Sequence, residues 1–383
     1  MRIKASRESC EFYIGGNFVL RIGNIAELED VKDVIILGAG KDGKAVAKDL
    51  LHRDIRVHAF VDDNRYGRRY FGIDVVSPKE ICINNVPCIL CIGALAYLSN
   101  KQILEHRFIK ALGIDGDNLI VLDRFLFIRD RFVFLCKKNN IDLTSDVIDF
   151  DKFSIPNYMN MNESIQRTFI LECCDLILPS IFSDFLCVDE GPYDHENVSV
   201  CQYRGGTRVP ANGKIVIDCG ASLGLFSVYA AHAGVKRVYS FEPIKQSRDL
   251  LQLACSNYNN INIVPKALAD RVGNVFMSNS DNLGQNKIID NKSGVAIDCT
   301  TLDQFVMENE LASIDFIKAD IEGAERYMLE GARWVLRNFS PDLSICTYHL
   351  DDDPVVLEGI IRSANPEYVV KHAYKKLYAY VPK

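Results

Sequence analysis

The stretch Val216–Pro243, VIDCGASLGLFSVYAAHAGVKRVYSFEP, constrains the fold more than any other. An apolar strand runs into Asp218. The turn Gly220-Ala221-Ser222-Leu223-Gly224 follows, then an amphipathic helix, then a second apolar strand closed by Glu242. Glycines let a backbone approach a ligand closely, and a helix N-terminus presents free N–H groups. An acidic residue closing the second strand can accept both hydroxyls of a ribose. The unit therefore reads as a nucleoside pocket. An ordinary βαβ unit with a tight turn is the alternative, and the pairing of Asp218 with Glu242 favours the pocket.

The chain has 383 residues, a length that suits two domains. Its net charge of −7 and the lack of a long basic run point away from nucleic acid and anionic membrane as partners. No apolar run is long enough to span a bilayer, and the N-terminus MRIKASRESCEFYIGG has no apolar signal segment. The 13 cysteines are an odd number scattered through apparent strands and helices, which is free-thiol usage. These features predict a cytoplasmic protein and permit a homo-oligomer. Cys88 and Cys91 form a CxxC inside the apolar run VPCILCIG and read as small buried hydrophobes.

Strand and helix patterns alternate in two blocks, so the fold class is α/β with two doubly wound domains. The first block starts with DVIILGAGKDGKAVAKDLL (Asp33–Leu51) and continues through RVHAFVDDN, VPCILCIG (Val86–Gly93), a helix near Leu95–Leu112 and LIVLD (Leu119–Asp123). The pattern predicts an N-terminal Rossmann-like domain over residues 1–135, a linker with lead-in helices over 136–183, and a second domain over 184–383. In the second block INIVPKALAD, IDFIKAD (Ile314–Asp320) and PDLSICTYH (Pro341–His349) read as strands. TTLDQFVMENE and AERYMLEGARWVLRNF read as the helices between them.

Ligands of open α/β sheets bind outside the carboxyl ends of the strands. Asp218, Glu242, Asp270, Asp320 and His349 fall at such ends in the second domain. The run IKADIEGAER places Asp320 and Glu322 at a crevice mouth. Glu325 falls in the first turn of a helix, where a cap or dipole partner is as good a reading as a functional group. His349 in TYHLDDDP is suited to taking a proton near neutral pH, with a hydrogen-bonded loop histidine as the alternative. Asp351, Asp352 and Asp353 read as a solvated turn and helix start.

The turn spacing D-x-G-x-x-x-G resembles the S-adenosylmethionine (AdoMet) loop of class I methyltransferases. VIDCGASLGLFS, SFEP, TTLDQF, IDFIKADIEGAE, LEGA and ICTYH also occur in the order of FkbM-family methyltransferases, with DEGPY as a lead-in. This resemblance covers roughly Asp184 to Tyr380 and implies a class I methyltransferase fold. It further implies AdoMet as cofactor and O-methylation of a hydroxyl on a sugar, glycoconjugate precursor or related natural product. It assigns cofactor contacts to Asp218, Gly220, Ser222, Gly224, Glu242, Pro243 and Asp270. Ser222 stands where the family commonly has Asn. Asp320, Glu322 and His349 are left to act on the acceptor. A base that takes the acceptor's proton, or Mg²⁺ held by Asp320 and Glu322 that lowers its pKa, would serve, and the sequence does not choose between them.

In the first domain LGAGKDG supplies G-x-G-x-x-G at Gly38, Gly40 and Gly43, after a strand and before a helix, and Asp62 ends the next strand. That context suits NAD or a nucleotide sugar. A packing or dimerisation domain that keeps the fold's glycines fits equally well, and no Tyr-x-x-x-Lys pair accompanies the motif. Two other functions are therefore carried: an NAD-dependent nucleotide-sugar oxidoreductase or epimerase working through the first domain, and a noncatalytic binding or assembly protein.

Overall fold

A computed structural model describes residues 11–14, 17–22, 28, 31–51, 53–83, 86–92, 106–114, 118–150, 154–173, 213–278, 288–289, 294–373 and 376–382. The lead-in DEGPY lies outside the described residues, as do 95–105 of the helix expected near Leu95–Leu112. The chain divides into two compact units, Met1–Asn140 and Ile141–Lys383. Both are α/β with parallel strands at the centre of the sheet.

The first unit holds β1 (Glu11–Ile14), β2 (Asn17–Ile22), β3 (Asp33–Leu37), β4 (Arg56–Val61), β5 (Arg69–Tyr70), β6 (Ile73–Val76), β7 (Cys88–Ile92) and β8 (Leu119–Asp123). They form one sheet in the order β1-β2-β8-β7-β3-β4-β6-β5. Every pairing from β2 to β6 is parallel, and the two edge pairings are antiparallel. Helix α1 (Lys41–Leu51) crosses from β3 to β4, and α2 (Arg107–Leu112) and α3 (Arg124–Lys138) follow later strands. The continuous apolar run of β3 suits a strand covered on both faces. Ile35, Leu37, Val61, Leu90, Phe108 and Val121 share its core. Strand order reverses between β3 and β7, so the turn after β3 lies at a topological switch point.

In the second unit, β9 (Val147–Asp149) and β10 (Ser154–Pro156) form a small hairpin, and α4 (Glu163–Glu172) follows. The main sheet uses β11 (Ile215–Cys219), β12 (Arg237–Phe241) and β13 (Ile261–Val264), with α5 (Leu225–His232) and α6 (Lys245–Ala254) as crossovers. Between β13 and the rest lie β14 (Ala267–Leu268), β15 (Gly273–Met277), β16 (Ile288–Ile289) and β17 (Val295–Thr300). Helix α7 (Leu302–Glu308), β18 (Phe316–Ala319), α8 (Glu325–Glu330), α9 (Arg333–Asn338), β19 (Asp342–Cys346), α10 (Asp353–Ala364), β20 (Val369–Ala373) and β21 (Lys376–Tyr380) complete the unit. The main sheet runs β13-β12-β11-β18-β19-β21-β20, parallel except for β21, which is antiparallel to both neighbours. Its switch point falls between β11 and β18. Ile217, Phe241, Ile317, Leu343 and Leu377 bring the strands into one core with Met328, Leu336 and Ile361 from the helices.

Two elements differ from the sequence reading. INIVPKALAD is two strands in two sheets: β13 pairs with β12, whereas β14 pairs with β17 in a four-stranded sheet ordered β14-β17-β15-β16. Pro265 has no N–H to continue the ladder, and the Lys266 N–H turns back to the Val264 carbonyl at 2.9 Å. AERYMLEGARWVLRNF is two helices, because Gly331 passes hard against the Ala269 carbonyl, where a Cβ would lie 2.0 Å from the oxygen.

Candidate active site

Between β11 and β18 the turn is built on an electrostatic frame rather than on the glycines alone. Asp218 and Lys318 are register partners on the two strands, and Lys318 Nζ lies 2.9 Å from Asp218 Oδ1. Both are buried, with side-chain exposures of 0 % for Asp218 and 5 % for Lys318. Ser227 Oγ donates to Asp218 Oδ2 at 2.6 Å and lies 2.7 Å from Ser240 Oγ. Lys318 Nζ then donates 2.6 Å to the carbonyl of Gly220. Burial opposes the lysine's charge, but Asp218 and Asp320 overcome it and hold the ammonium above its ordinary range. Asp218 thus lies under the turn, holding the lysine that holds the turn.

Gly220 donates its N–H to the Phe241 carbonyl at 3.0 Å, as does Ala221. Its φ is +75°, and a Cβ there would lie 2.2 Å from the Asp320 carbonyl, so glycine lets the ends of β11 and β18 approach this closely. Gly224 caps α5 at its N-terminus. Ser222 has φ +50°, a region that Asn enters more readily than Ser.

Glu242 follows β12 and is 6 % exposed. Its two oxygens accept from the Ser222 N–H at 3.0 Å and the Ile244 N–H at 2.9 Å. Burial pushes its carboxyl up to about 7, against the pull of those two N–H groups and Lys318. The Pro243 carbonyl accepts from the Arg248 guanidinium. Asp270 stands apart: it follows β14, is exposed and lies 3.5 Å from the Arg271 guanidinium.

At the ends of β18 and β19 the structure brings Asp320, Glu322 and His349 together. His349 Nε2 lies 3.6 Å from Asp320 Oδ1 and 3.6 Å from Glu322 Oε2, and its Nδ1 lies 3.0 Å from Glu325 Oε1. Glu325 is fully buried and accepts the N–H groups of Ile321 and Gly323, each at 2.9 Å. It both fixes this loop and faces the imidazole. Glu322 has φ +56°, backbone strain of a kind concentrated at functional sites. Burial works against charge on His349, yet Glu325, Asp320 and Glu322 raise it above the usual histidine value. Burial likewise opposes charge on Asp320, but Lys376, Lys318 and His349 outweigh it and bring its carboxyl down to about 2.

Four groups escaped the sequence reading as site residues. Lys318 looked like one basic residue in an apolar strand. Glu172, at the end of α4, hydrogen-bonds Ser222 and feels Lys318, with burial raising its carboxyl to about 8. Tyr348 donates 3.0 Å to Asp320 Oδ1, and its ring centre lies 4.1 Å from that of His349 at a tilt of 44°. Lys376, at the start of β21, is buried and acts on Asp320.

Residues 218–365 match the model of the methyltransferase FkbM domain. This stretch is an FkbM methyltransferase domain. It starts at the aspartate beneath the glycine turn and includes every group of the cluster at β18 and β19 except Lys376. The chain is also similar to a methyltransferase FkbM from Methylobacillus flagellatus KT, at 21% identity over 94% of each chain and a TM-score of 0.40. A putative methyltransferase from Streptococcus mutans in complex with SAH is 12% identical, covers 44% of this chain and 89% of its own, and gives a TM-score of 0.30. An rRNA methylase from Streptococcus thermophilus is 14% identical over 45% and 90%, with a TM-score of 0.30. No curated protein sequence matches significantly. Among the described residues no helix of the FkbM domain or the rest of the chain is long and apolar enough to cross a membrane.

In the first unit Gly38 follows β3 and donates its N–H to the Val61 carbonyl at 2.8 Å, and the Gly40 carbonyl accepts the Lys44 N–H at 3.0 Å. A Cβ on Gly43 would lie 1.9 Å from the Gly38 carbonyl oxygen, so this glycine lets α1 pack against the turn. Asp62 is buried and already engaged. One oxygen accepts from the Ala39 N–H at 2.9 Å and the Arg65 guanidinium at 3.3 Å; the other accepts from the N–H groups of Asn64 at 2.9 Å and Arg65 at 3.2 Å. Its geometry is that of a brace for the glycine turn.

Proposed function

We propose that the FkbM domain binds AdoMet and methylates a hydroxyl oxygen of a small acceptor, most simply a sugar or glycoconjugate precursor. The observation that carries the reading is the placement of Glu242 and the Asp320–Glu322–His349 cluster at one edge of one sheet, joined through the Gly220 turn. Glu242 keeps lone pairs beyond those used by Ser222 and Ile244, and ribose hydroxyls can donate to them. The glycine turn and the N-terminus of α5 would receive the methionine part, and Glu172 adds a buried acid near Ser222 whose ionisation a bound cation would favour. These residues fit the cofactor.

When bound, AdoMet supplies an electrophilic methyl group on a sulfonium, which leaves as a neutral thioether. The rest falls to the chain's own residues. The Lys318–Asp218 frame fixes the turn, so the cofactor site is formed before binding. The Asp320–Glu322–His349 cluster faces the acceptor and assists loss of its hydroxyl proton, without which an alcohol is a weak nucleophile. Alignment of the two reactants accounts for much of the acceleration. Calorimetry with AdoMet tests the cofactor, and mass spectrometry of sugar acceptors incubated with the protein and AdoMet tests the transfer. Failure of the wild-type protein to bind AdoMet would end this reading.

A further inference from the structure

The His349 side chain is 4 % exposed, and its Nε2 has no hydrogen-bond partner among the described residues. A buried polar group left without partners is costly, so its surroundings call for explanation. The two nitrogens face different groups. Nδ1 faces Glu325, 3.0 Å away, which is itself locked by two backbone N–H groups. Nε2 faces Asp320 and Glu322, both at 3.6 Å, beyond hydrogen-bonding distance. Two ligand atoms on one divalent cation, with bonds of about 2.1 Å at roughly 110–120°, lie about 3.4–3.6 Å apart. Asp320, Glu325 and His349 each offer a ligand atom, all within 4.8 Å of one another. Since Glu325 sits on the Nδ1 side and is held by amides, the cation belongs on the Nε2 side.

We propose that His349 Nε2, Asp320 and Glu322 hold a divalent cation, with Glu325 as the positioning residue that orients the imidazole through Nδ1. A carboxylate behind a metal-bound histidine commonly fixes its ring and tautomer in this way. Lys376 and Lys318 act on Asp320 and oppose a further positive charge. Against them stand three carboxylates, Asp320, Glu322 and Glu325, while Lys318 is already paired with Asp218. An imidazole with two carboxylates suits Mn²⁺ or Zn²⁺ better than Mg²⁺, which favours an all-oxygen shell.

The assignment rests on the methyl-acceptor reading and narrows its substrate class. Asp320 and Glu322 side chains are 19 % and 27 % exposed, so the cation faces the mouth of the site with positions left for the acceptor. An acceptor with two neighbouring oxygens, such as a vicinal diol, would chelate it. The cation lowers the pKa of the bound hydroxyl, whose proton passes to water while the oxygen keeps the electron pair. That pair forms the C–O bond as the C–S bond breaks and its electrons return to sulfur.

The test uses the full chain stripped with EDTA and titrated with Mn²⁺, bound and free ion being separated by electron paramagnetic resonance. One Mn²⁺ per chain is expected. Glu322→Gln and His349→Gln should each weaken it about tenfold or more, whereas Glu330→Gln should leave it unchanged. Circular dichroism identifies a variant that fails to fold; Glu322, partly exposed, serves if His349→Gln does. Absence of stoichiometric Mn²⁺ binding, or equal binding by wild type and a folded Glu322→Gln, overturns the site. AdoMet affinity of the stripped wild type is measured separately, and its absence would count against the methyltransferase reading and not against the cation.

Discussion

Lys318 pairs with Asp218 across two neighbouring buried strands and, from the same ammonium, holds the Gly220 carbonyl of the glycine turn. Core and glycine turn therefore depend on one charge pair. Lys318→Met would leave Asp218 buried without its counter-charge, a loss of about 3–5 kcal/mol. Chemical denaturation of the full chain should show that loss. The double variant Lys318→Met with Asp218→Asn should regain part of it, because the uncompensated charge is gone, yet AdoMet binding should stay weak because the turn has lost its tether.

Glu242 gives a pH signature for cofactor binding. Its carboxyl is raised to about 7 by burial, with Ile244, Ser222 and Lys318 pulling it down and Asp218 pushing it up. In the proposed cofactor site ribose hydroxyls would donate to the ionised form, so binding would favour loss of the proton. AdoMet affinity should be full above pH 8 and fall as pH drops through 7, by about tenfold between pH 8 and 6 for one linked proton. Calorimetric titrations at several pH values check this. Glu242→Gln should bind more weakly at pH 8 and show no such dependence.

The local logic of the second unit was legible in sequence because each part of it is contiguous. The turn between Asp218 and Gly224, Glu242 at a strand end and the Asp320–Glu322 pair each declare themselves in a few residues. What could not be read depends on register and on contacts distant in sequence. Nothing near Lys318 reveals that it stands opposite Asp218, and nothing in FILECC reveals that Glu172 reaches Ser222. The hairpin of β20 and β21, which brings Lys376 beside Asp320, carries no motif. Glu325 showed its helix-start position, and that part of its role is real; its second face, toward His349, comes only from the fold.

Gly220 tests the close approach of β11 and β18. A methyl group there would sit 2.2 Å from the Asp320 carbonyl oxygen, and the residue would have to keep φ near +75°. Gly220→Ala should therefore force the two strand ends apart and cost about 1–3 kcal/mol or more. Its effect should extend past the cofactor, since Asp320 moves with its backbone. Differential scanning calorimetry should show a lower melting temperature. If Gly220→Ala melts with the wild type and binds AdoMet equally, the turn is looser than this geometry.

In the first unit the G-x-G-x-x-G turn is closed by its own acid. Asp62 accepts from Ala39, Asn64 and Arg65, so a ribose would have to displace donors already in place. A brace and a ligand contact predict different behaviour. As a brace, Asp62 contributes to stability without any nucleotide, because its removal leaves the Ala39 N–H unpaired in a buried turn. Asp62→Ala should then destabilise the first unit by about 1–3 kcal/mol, seen by hydrogen exchange at the amides of residues 38–45 in the full chain. As a ribose acceptor, Asp62 would instead govern a thermal shift produced by NAD or a nucleotide sugar. The hydrogen bonds favour the brace, so exchange should rise throughout the turn in Asp62→Ala while NAD leaves the melting temperature of the wild type unchanged. A melting temperature raised by NAD in the wild type, and not in Asp62→Ala, would give the turn back to the dinucleotide.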